Sequence, residues 1–360
     1  MLLLKPAARA AVRRAPGWRL WARAGLYAAL ALLGLETGAR WLLASCVVFS
    51  PHAWRLALPS RTFELPPELA RRRAVRLEVE VGPPRARLAA WVIEPERAVR
   101  GTVVLLHGVR LDRRSLVQAG QAFADAGYRS VLVDLRGHGE STGTFLTYGA
   151  VEARDLSQLL DALETEGLAL GCVGAFGFSY GAAVAVALGA RDERVEAVVA
   201  VAPFASLRDV VADYRREYLP TFLNAIPARW FDHAIDEASR LADFDPDRSA
   251  PLQQIAQSRA HELLIHGTAD TQIPLRHSLA LASRAGPLAE LWAVPGASHH
   301  LLPSPVIHER ALAWFERWLQ PAPAQGCRFC CTVRADAASA AQVRAREPPV
   351  DRAPSAPARG

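Results

Sequence analysis

The stretch that decides the fold reads Cys172-Val173-Gly174-Ala175-Phe176-Gly177-Phe178-Ser179-Tyr180-Gly181-Ala182-Ala183-Val184-Ala185-Val186-Ala187-Leu188. Its first five residues are an apolar, Gly-rich run with the look of a buried strand. Its last seven are small and apolar, and read as a helix. Between them stands G-x-S-x-G, the strand–turn–helix arrangement called a nucleophile elbow. Two glycines permit a sharp turn and a close approach of helix to strand. The turn leaves the Ser179 hydroxyl at the end of a sheet. A serine hydroxyl is a weak nucleophile until a base removes its proton. Without partners, the same pentapeptide is a Gly-flanked helix cap.

Three other segments supply partner chemistry. Gly101 to Leu106 is a β-branched and apolar run ending in His107-Gly108-Val109. Glu262 to His266 is a second strand pattern, closed by Gly267-Thr268-Ala269-Asp270. Leu291 to Val294 is a third, followed by Pro295-Gly296-Ala297-Ser298-His299-His300. Asp270 is the candidate acid, which would hold a histidine in one tautomer and stabilise its cation. One of the adjacent histidines is the candidate base, because an imidazole can accept the serine proton and return it near neutral pH. His299 is preferred and His300 is the alternative. His107 reads as a residue that orders its own loop.

Strand-like runs alternate with helical ones along the middle of the chain. Val103–Leu106, Ser130–Val133, Cys172–Phe176, Glu196–Val201, Glu262–His266 and Glu290–Val294 are the strands, with amphipathic stretches such as Gly149–Leu163 between them. This alternation predicts a mostly parallel sheet with helices on both faces. Val75–Val81 and Leu88–Ile93 read as an antiparallel hairpin ahead of it, turning at Gly82-Pro83-Pro84. Residues 204–256 interrupt the pattern. They carry Tyr214, Tyr218, Leu219, Phe222, Leu223, Ile226, Trp230 and Phe231. The expectation is a small helical lid near the carboxyl ends of the strands, where ligands bind in such sheets.

In these motifs the chain resembles bacterial α/β-hydrolases of the group that includes serine aminopeptidase-like and monoacylglycerol-lipase-like enzymes. The resemblance rests on His107-Gly108, Gly127-Tyr128, Asp134-Leu135-Arg136-Gly137-His138-Gly139-Glu140-Ser141, Gly177 to Gly181, His266 to Asp270, and Pro295 to His299. It covers roughly residues 60–320. The order Ser179, Asp270, His299 is also that of α/β-hydrolases. The resemblance implies the α/β-hydrolase fold, with Ser179 as nucleophile, Asp270 as acid and His299 as base. It further implies an oxyanion hole made by the backbone N–H groups of Val109 and Tyr180. The group usually has Gly where Ser298 stands, and a single His where this chain has two. The Asp134–Ser141 run is expected to be a structural loop that shapes the mouth of the site.

The ends of the chain differ from its middle. Lys5, Arg9, Arg13, Arg14, Arg19 and Arg23 precede the apolar run Ala24–Leu35, and Trp41–Phe49 follows Glu36 and Arg40. A helix from Trp21 to Trp41 would be about 30 Å long, the thickness of a hydrocarbon core. Trp18, Trp21 and Trp41 would anchor it at the interfaces. The expectation is a single-pass anchor in a bacterial inner membrane, with a cleaved signal peptide as the rival. The domain reading is therefore residues 1–50 as N-terminus and anchor, 51–320 as hydrolase domain, and 321–360 as a disordered tail rich in Pro, Ala and Arg. The net charge of +6 comes mostly from arginine at the two ends, and no nucleic-acid motif accompanies it. Cys327, Cys330 and Cys331 form a C-x-x-C without a second ligand pair, so neither metal nor cofactor is expected.

The reading drawn from the sequence is a membrane-tethered serine hydrolase acting on a carboxylic ester of a small-molecule acyl substrate, a lipid among the options. A peptidase of the same fold is the alternative. It would need an acidic group for a substrate amine, for which Glu140, Asp209, Asp213 and Glu217 are the candidates. A non-catalytic binding protein is the third reading.

Overall fold

The structure, a computed structural model, describes residues 63–319 except 169, 219–225 and 302, together with residues 38, 44, 45 and 47–49. Eight strands form one sheet: β1 (Ala74–Val81), β2 (Ala86–Ile93), β3 (Gly101–Leu106), β4 (Tyr128–Asp134), β5 (Cys172–Phe178), β6 (Val195–Val201), β7 (His261–Gly267) and β8 (Ala289–Val294). Their order is β1-β2-β4-β3-β5-β6-β7-β8. β1 pairs antiparallel with β2, and β2 with β4; every later pairing is parallel. The hairpin and the parallel sheet are those expected from the alternation of runs. β4 begins two residues before its apolar run, because Tyr128 and Arg129 pair with Gly101 and Thr102 in the register of β3.

The pleat sends alternate side chains to opposite faces, and each face carries its own core. Val104, Leu106, Val131 and Val133 face one way. There they meet Leu156, Leu159 and Leu163 of helix α2 (Glu152–Thr165) and Val184 and Leu188 of helix α3 (Tyr180–Arg191). Val103, Leu105, Leu132 and Phe176 face the other way, against Phe123 of helix α1 (Val117–Asp125) and later Trp314 and Phe315 near the carboxyl end. Phe123 stands edge-on to both Phe176 and Phe315, at 5.4 and 5.7 Å between centroids. Each such side chain contributes roughly 1.5–3 kcal/mol by burial.

The interruption between β6 and β7 folds as helix α4 (Leu207–Tyr218) and helix α5 (Ala228–Ala242), followed by one short turn of helix at Pro251–Gln254. Helix α6 (Arg276–Ala285) lies between β7 and β8, and helix α7 (Pro305–Trp318) follows β8. Ala44 and Val48 are wholly buried against Ala238 and Ala242 of α5. Part of the stretch read as an N-terminal extension therefore packs on the body of the protein. The Trp21–Trp41 anchor lies outside the described residues, apart from Gly38, as do Leu219, Phe222, Leu223 and the Cys327–Cys331 tail. Among the described residues, no helix is long and apolar enough to cross a membrane.

One core residue carries a pH signature. Glu262 of β7 is fully buried, and its Oε1 accepts a hydrogen bond of 2.9 Å from Ser258. Burial pushes its carboxyl up to about 8. The folded state thus holds a proton that the unfolded chain releases near its ordinary value. Stability falls as pH rises from that value to about 8. In Glu262→Gln this fall is absent, so thermal melts should show the variant gaining on the wild type by more than about 2 °C between pH 5 and pH 9.

Candidate active site

Ser179 occupies the turn between β5 and α3 with φ 54° and ψ −113°, a conformation L residues rarely adopt. The glycines around it are a steric requirement. A Cβ on Gly177 would lie 2.2 Å from the Gly181 carbonyl oxygen. A Cβ on Gly181 would lie 2.3 Å from that of Leu106 and 2.6 Å from that of His107. The close approach sets the first turn of α3 against the end of β3. The loop carrying Gly108 and Val109 is thereby brought beside Ser179. Neither the Val109 nor the Tyr180 N–H has a hydrogen-bond partner among the described residues. The Tyr180 N–H also belongs to the first turn of α3, where the helix dipole favours negative charge.

Ser179, Asp270 and His299 come together in one hydrogen-bonded chain. His299 Nε2 lies 3.1 Å from Ser179 Oγ, and its Nδ1 lies 2.7 Å from Asp270 Oδ2. The Nδ1–H tautomer donates to the carboxylate and leaves Nε2 to accept the serine proton. Asp270 Oδ1 accepts from the backbone N–H groups of Gln272 at 3.0 Å and Ile273 at 2.9 Å. Burial raises the pKa of Asp270, but hydrogen bonds from His266 and His299, the charge of His299 and the Ile273 N–H outweigh it. The carboxyl is held well below the usual carboxylate range. All three side chains are buried, with Ser179 4%, Asp270 5% and His299 5% exposed. Water therefore competes little for their hydrogen bonds.

The acid and base loops are laced to each other. Ala269 N–H donates to the Ala297 carbonyl at 2.9 Å, and Thr268 N–H to that of Val294 at 3.0 Å. A Cβ on Gly267 would lie 2.2 Å from the Ala297 oxygen. His300 faces outward, its Nε2 3.5 Å from the Gln272 amide. The sequence favours His299 with His300 as the alternative; among the two, only His299 reaches Ser179 and Asp270 in the structure. His266 serves the same frame, bonding Ser278 Oγ and the Ile273 carbonyl at 2.6 Å each.

The remaining motif residues are structural. His107 Nδ1 bonds the Gly108 carbonyl at 2.8 Å, and its Nε2 accepts from the Leu135 N–H at 3.0 Å. Burial brings its pKa down to about 4, so it stands neutral and fixes the loop. Asp134 accepts from the N–H groups of Arg113 and Glu140, both at 2.7 Å, and from the Arg113 guanidinium. Ser141 Oγ ties the same run to β2 and β4, accepting from Ala89 N–H and donating to the Asp134 carbonyl.

One contact was not legible in the sequence. Tyr214 of α4 belongs by sequence with the lid aromatics, but its hydroxyl lies close enough to Ser179 for the two to interact. Burial pushes that hydroxyl up to about 12, helped by Tyr218 and Asp270 and opposed by Ser179 and Arg110. The helical spacing of Tyr214 and Tyr218 placed both on one face, but the docking of that face over Ser179 depends on the tertiary fold.

The comparisons agree with this architecture. The family model of X-Pro dipeptidyl-peptidase (S15 family) matches residues 82–225, a span that includes Ser179 but neither Asp270 nor His299. The chain is 27% identical over 192 residues to the uncharacterized protein YqkD of Bacillus subtilis, covering 52% of this chain and 61% of that protein. It is 29% identical over 177 residues to the putative protein-lysine deacylase ABHD14B of Rattus norvegicus, covering 47% and 73%. An esterase of Pyrococcus furiosus superposes with a TM-score of 0.58 at 22% identity, over 72% of this chain and 97% of that one, a likeness that shows the fold. The chain thus has the α/β-hydrolase fold. Its elbow and its Ser179–His299–Asp270 relay have the geometry of a serine hydrolase.

Proposed function

We propose that this protein hydrolyses a carboxylic ester through an acyl-enzyme on Ser179. The observation that carries the reading is the unbroken relay from Ser179 Oγ through His299 to Asp270. His299 Nε2 takes the serine proton as Oγ attacks the acyl carbonyl. Asp270 keeps the imidazole in the Nδ1–H tautomer and stabilises the cation that forms. The N–H groups of Val109 and Tyr180 receive the oxyanion, where each donor supplies about 2.7–4 kcal/mol of transition-state stabilisation. His299 then gives its proton to the leaving alcohol. Water, activated by the same base, releases the acid.

The carboxylates considered for an amine subsite favour an ester over an aminopeptidase substrate. Asp213 bonds His277 at 2.8 Å, Arg216 at 3.0 Å, and Arg276. Glu140 pairs with Arg113, Asp209 caps with Ser206, and Glu217 accepts from Thr271 at 2.9 Å. Each is engaged by another side chain of the protein.

The test is turnover of p-nitrophenyl esters from acetate to long acyl chains, beside amino-acyl p-nitroanilides. Ester turnover exceeding anilide turnover across the series is the expected result; the reverse makes the protein a peptidase. Tyr214→Phe keeps the ring and removes the hydroxyl beside Ser179. Loss of an interaction worth one hydrogen bond corresponds to a fall in kcat of about 2- to 10-fold, and steady-state kinetics should show it with KM nearly unchanged. An unaltered kcat would remove Tyr214 from the positioning of Ser179.

A further inference from the structure

We propose that Arg110 forms an anion subsite at the mouth of this site, so that the preferred ester carries a carboxylate. The inference rests on the ester reading above and names its substrate class. Arg110 directly follows Val109, one of the two N–H groups assigned to the oxyanion. It sits at φ 64° in a turn closed by Leu111 N–H on the Gly108 carbonyl at 3.1 Å. A left-handed conformation is unfavourable for a non-glycine residue, and here it presents an exposed, charged side chain. Arg110 is exposed and has no ion-pair partner among the described residues. Its neighbours in sequence differ: Arg113 is held by Asp134 and Glu140, and Arg114 takes both oxygens of Asp112.

The charge of Arg110 is felt at the site. Burial raises the pKa of the Tyr148 and Tyr214 hydroxyls, and the charge of Arg110 works against that rise in both, as it does for Tyr218. Tyr214 is the residue whose hydroxyl lies near Ser179. Arg110, next in sequence to Val109, therefore lies within electrostatic reach of the tyrosine hydroxyls around the site. Asp213 of α4, beside Tyr214 in sequence, is already met by two arginines and a histidine. A free guanidinium presents a planar fork of donors that matches a carboxylate bidentately. A cationic substrate would meet like charge here.

The experiment uses the purified full-length chain and two pairs of esters. On the acyl side, the mono-p-nitrophenyl ester of glutaric acid is compared with p-nitrophenyl valerate. On the leaving-group side, 4-acetoxybenzoate is compared with its methyl ester. In one arm the charged ester should have the higher kcat/KM by about 10-fold or more, with the advantage shrinking as salt rises. The arm that shows it tells which end of the ester bears the anion. Arg110→Gln should bring that ratio toward unity, and Arg110→Lys should retain part of it; Arg110→Lys also serves if the glutamine variant does not fold. Ratios in both arms that Arg110→Gln or Arg110→Lys leaves unchanged overturn the subsite. Failure of every ester, neutral ones included, is a failure of the ester reading alone. The subsite is then read from protection, with glutarate slowing the labelling of Ser179 by a neutral fluorophosphonate. Slowing in the wild type that Arg110→Gln abolishes supports the subsite; equal slowing or none overturns it.

Discussion

Ser179→Ala should lower ester turnover by about 10⁴-fold or more while leaving the melting temperature within a few degrees of the wild type. The size of the loss follows from the relay. Without Oγ there is no covalent intermediate, and what is left is stabilisation of the oxyanion by Val109 and Tyr180 around a water attack. Members of such a unit act together, so their losses do not add. Ser179→Ala combined with His299→Ala should therefore be hardly worse than either change alone. The stability side follows from the contacts. Among the described residues Ser179 Oγ bonds His299 and lies near the Tyr214 hydroxyl, and its backbone strain at φ 54° is the same for alanine. Turnover assays and thermal melts on the two single variants and the double variant check both halves.

The second large effect concerns stability. Arg113 and Asp134 are 1% and 0% exposed, and their charged groups form a buried pair that Glu140 extends. The guanidinium also lies over the Trp91 ring, 4.5 Å from its centroid. Burial pushes the Asp134 carboxyl up to about 6 even with Arg113 beside it, and burial lowers the Arg113 pKa as well. Both shifts mean that desolvation outweighs attraction within the pair. Such a pair adds little net stability, yet removing one partner strands the other. Arg113→Ala should cost about 3–5 kcal/mol, read as a fall in Tm of roughly 10 °C. The double variant Arg113→Met, Asp134→Asn should recover part of that loss, because the two fully buried charges are gone and Glu140 keeps Arg76 3.9 Å away. Equal destabilisation of the single and double variants would show that packing on Trp91, not charge, is what Arg113 supplies.

The parts of the site that steric need imposes were readable in the sequence. Gly177 and Gly181 are required by contacts of 2.2 and 2.3 Å, so the elbow is written in residue types. The hairpin and the parallel strands are likewise written in period and in turn residues. Choosing between His299 and His300 required the loop itself. Leu301 N–H bonds the His299 carbonyl at 2.9 Å, and that tight turn sends the second ring outward. The roles of Tyr214 and Arg110 were invisible for a different reason. One depends on how α4 packs beside Ala183 and Phe204 near the elbow, and the other on a left-handed turn at a residue that is not glycine. Neither leaves a periodic or compositional trace. The carboxylates Asp213 and Glu217 were also ambiguous, because their partners Arg276, His277 and Thr271 lie more than 50 residues away.

The central claim is that Ser179 is activated by His299 to form a covalent acyl intermediate. The most direct measurement is the mass of the full-length chain after incubation with a fluorophosphonate, followed by peptide mapping. One adduct on the peptide carrying Ser179, absent in Ser179→Ala and formed far more slowly in His299→Ala, is the expected result. A folded wild-type chain that takes no adduct, or takes it elsewhere at the same rate in all three proteins, would contradict the account.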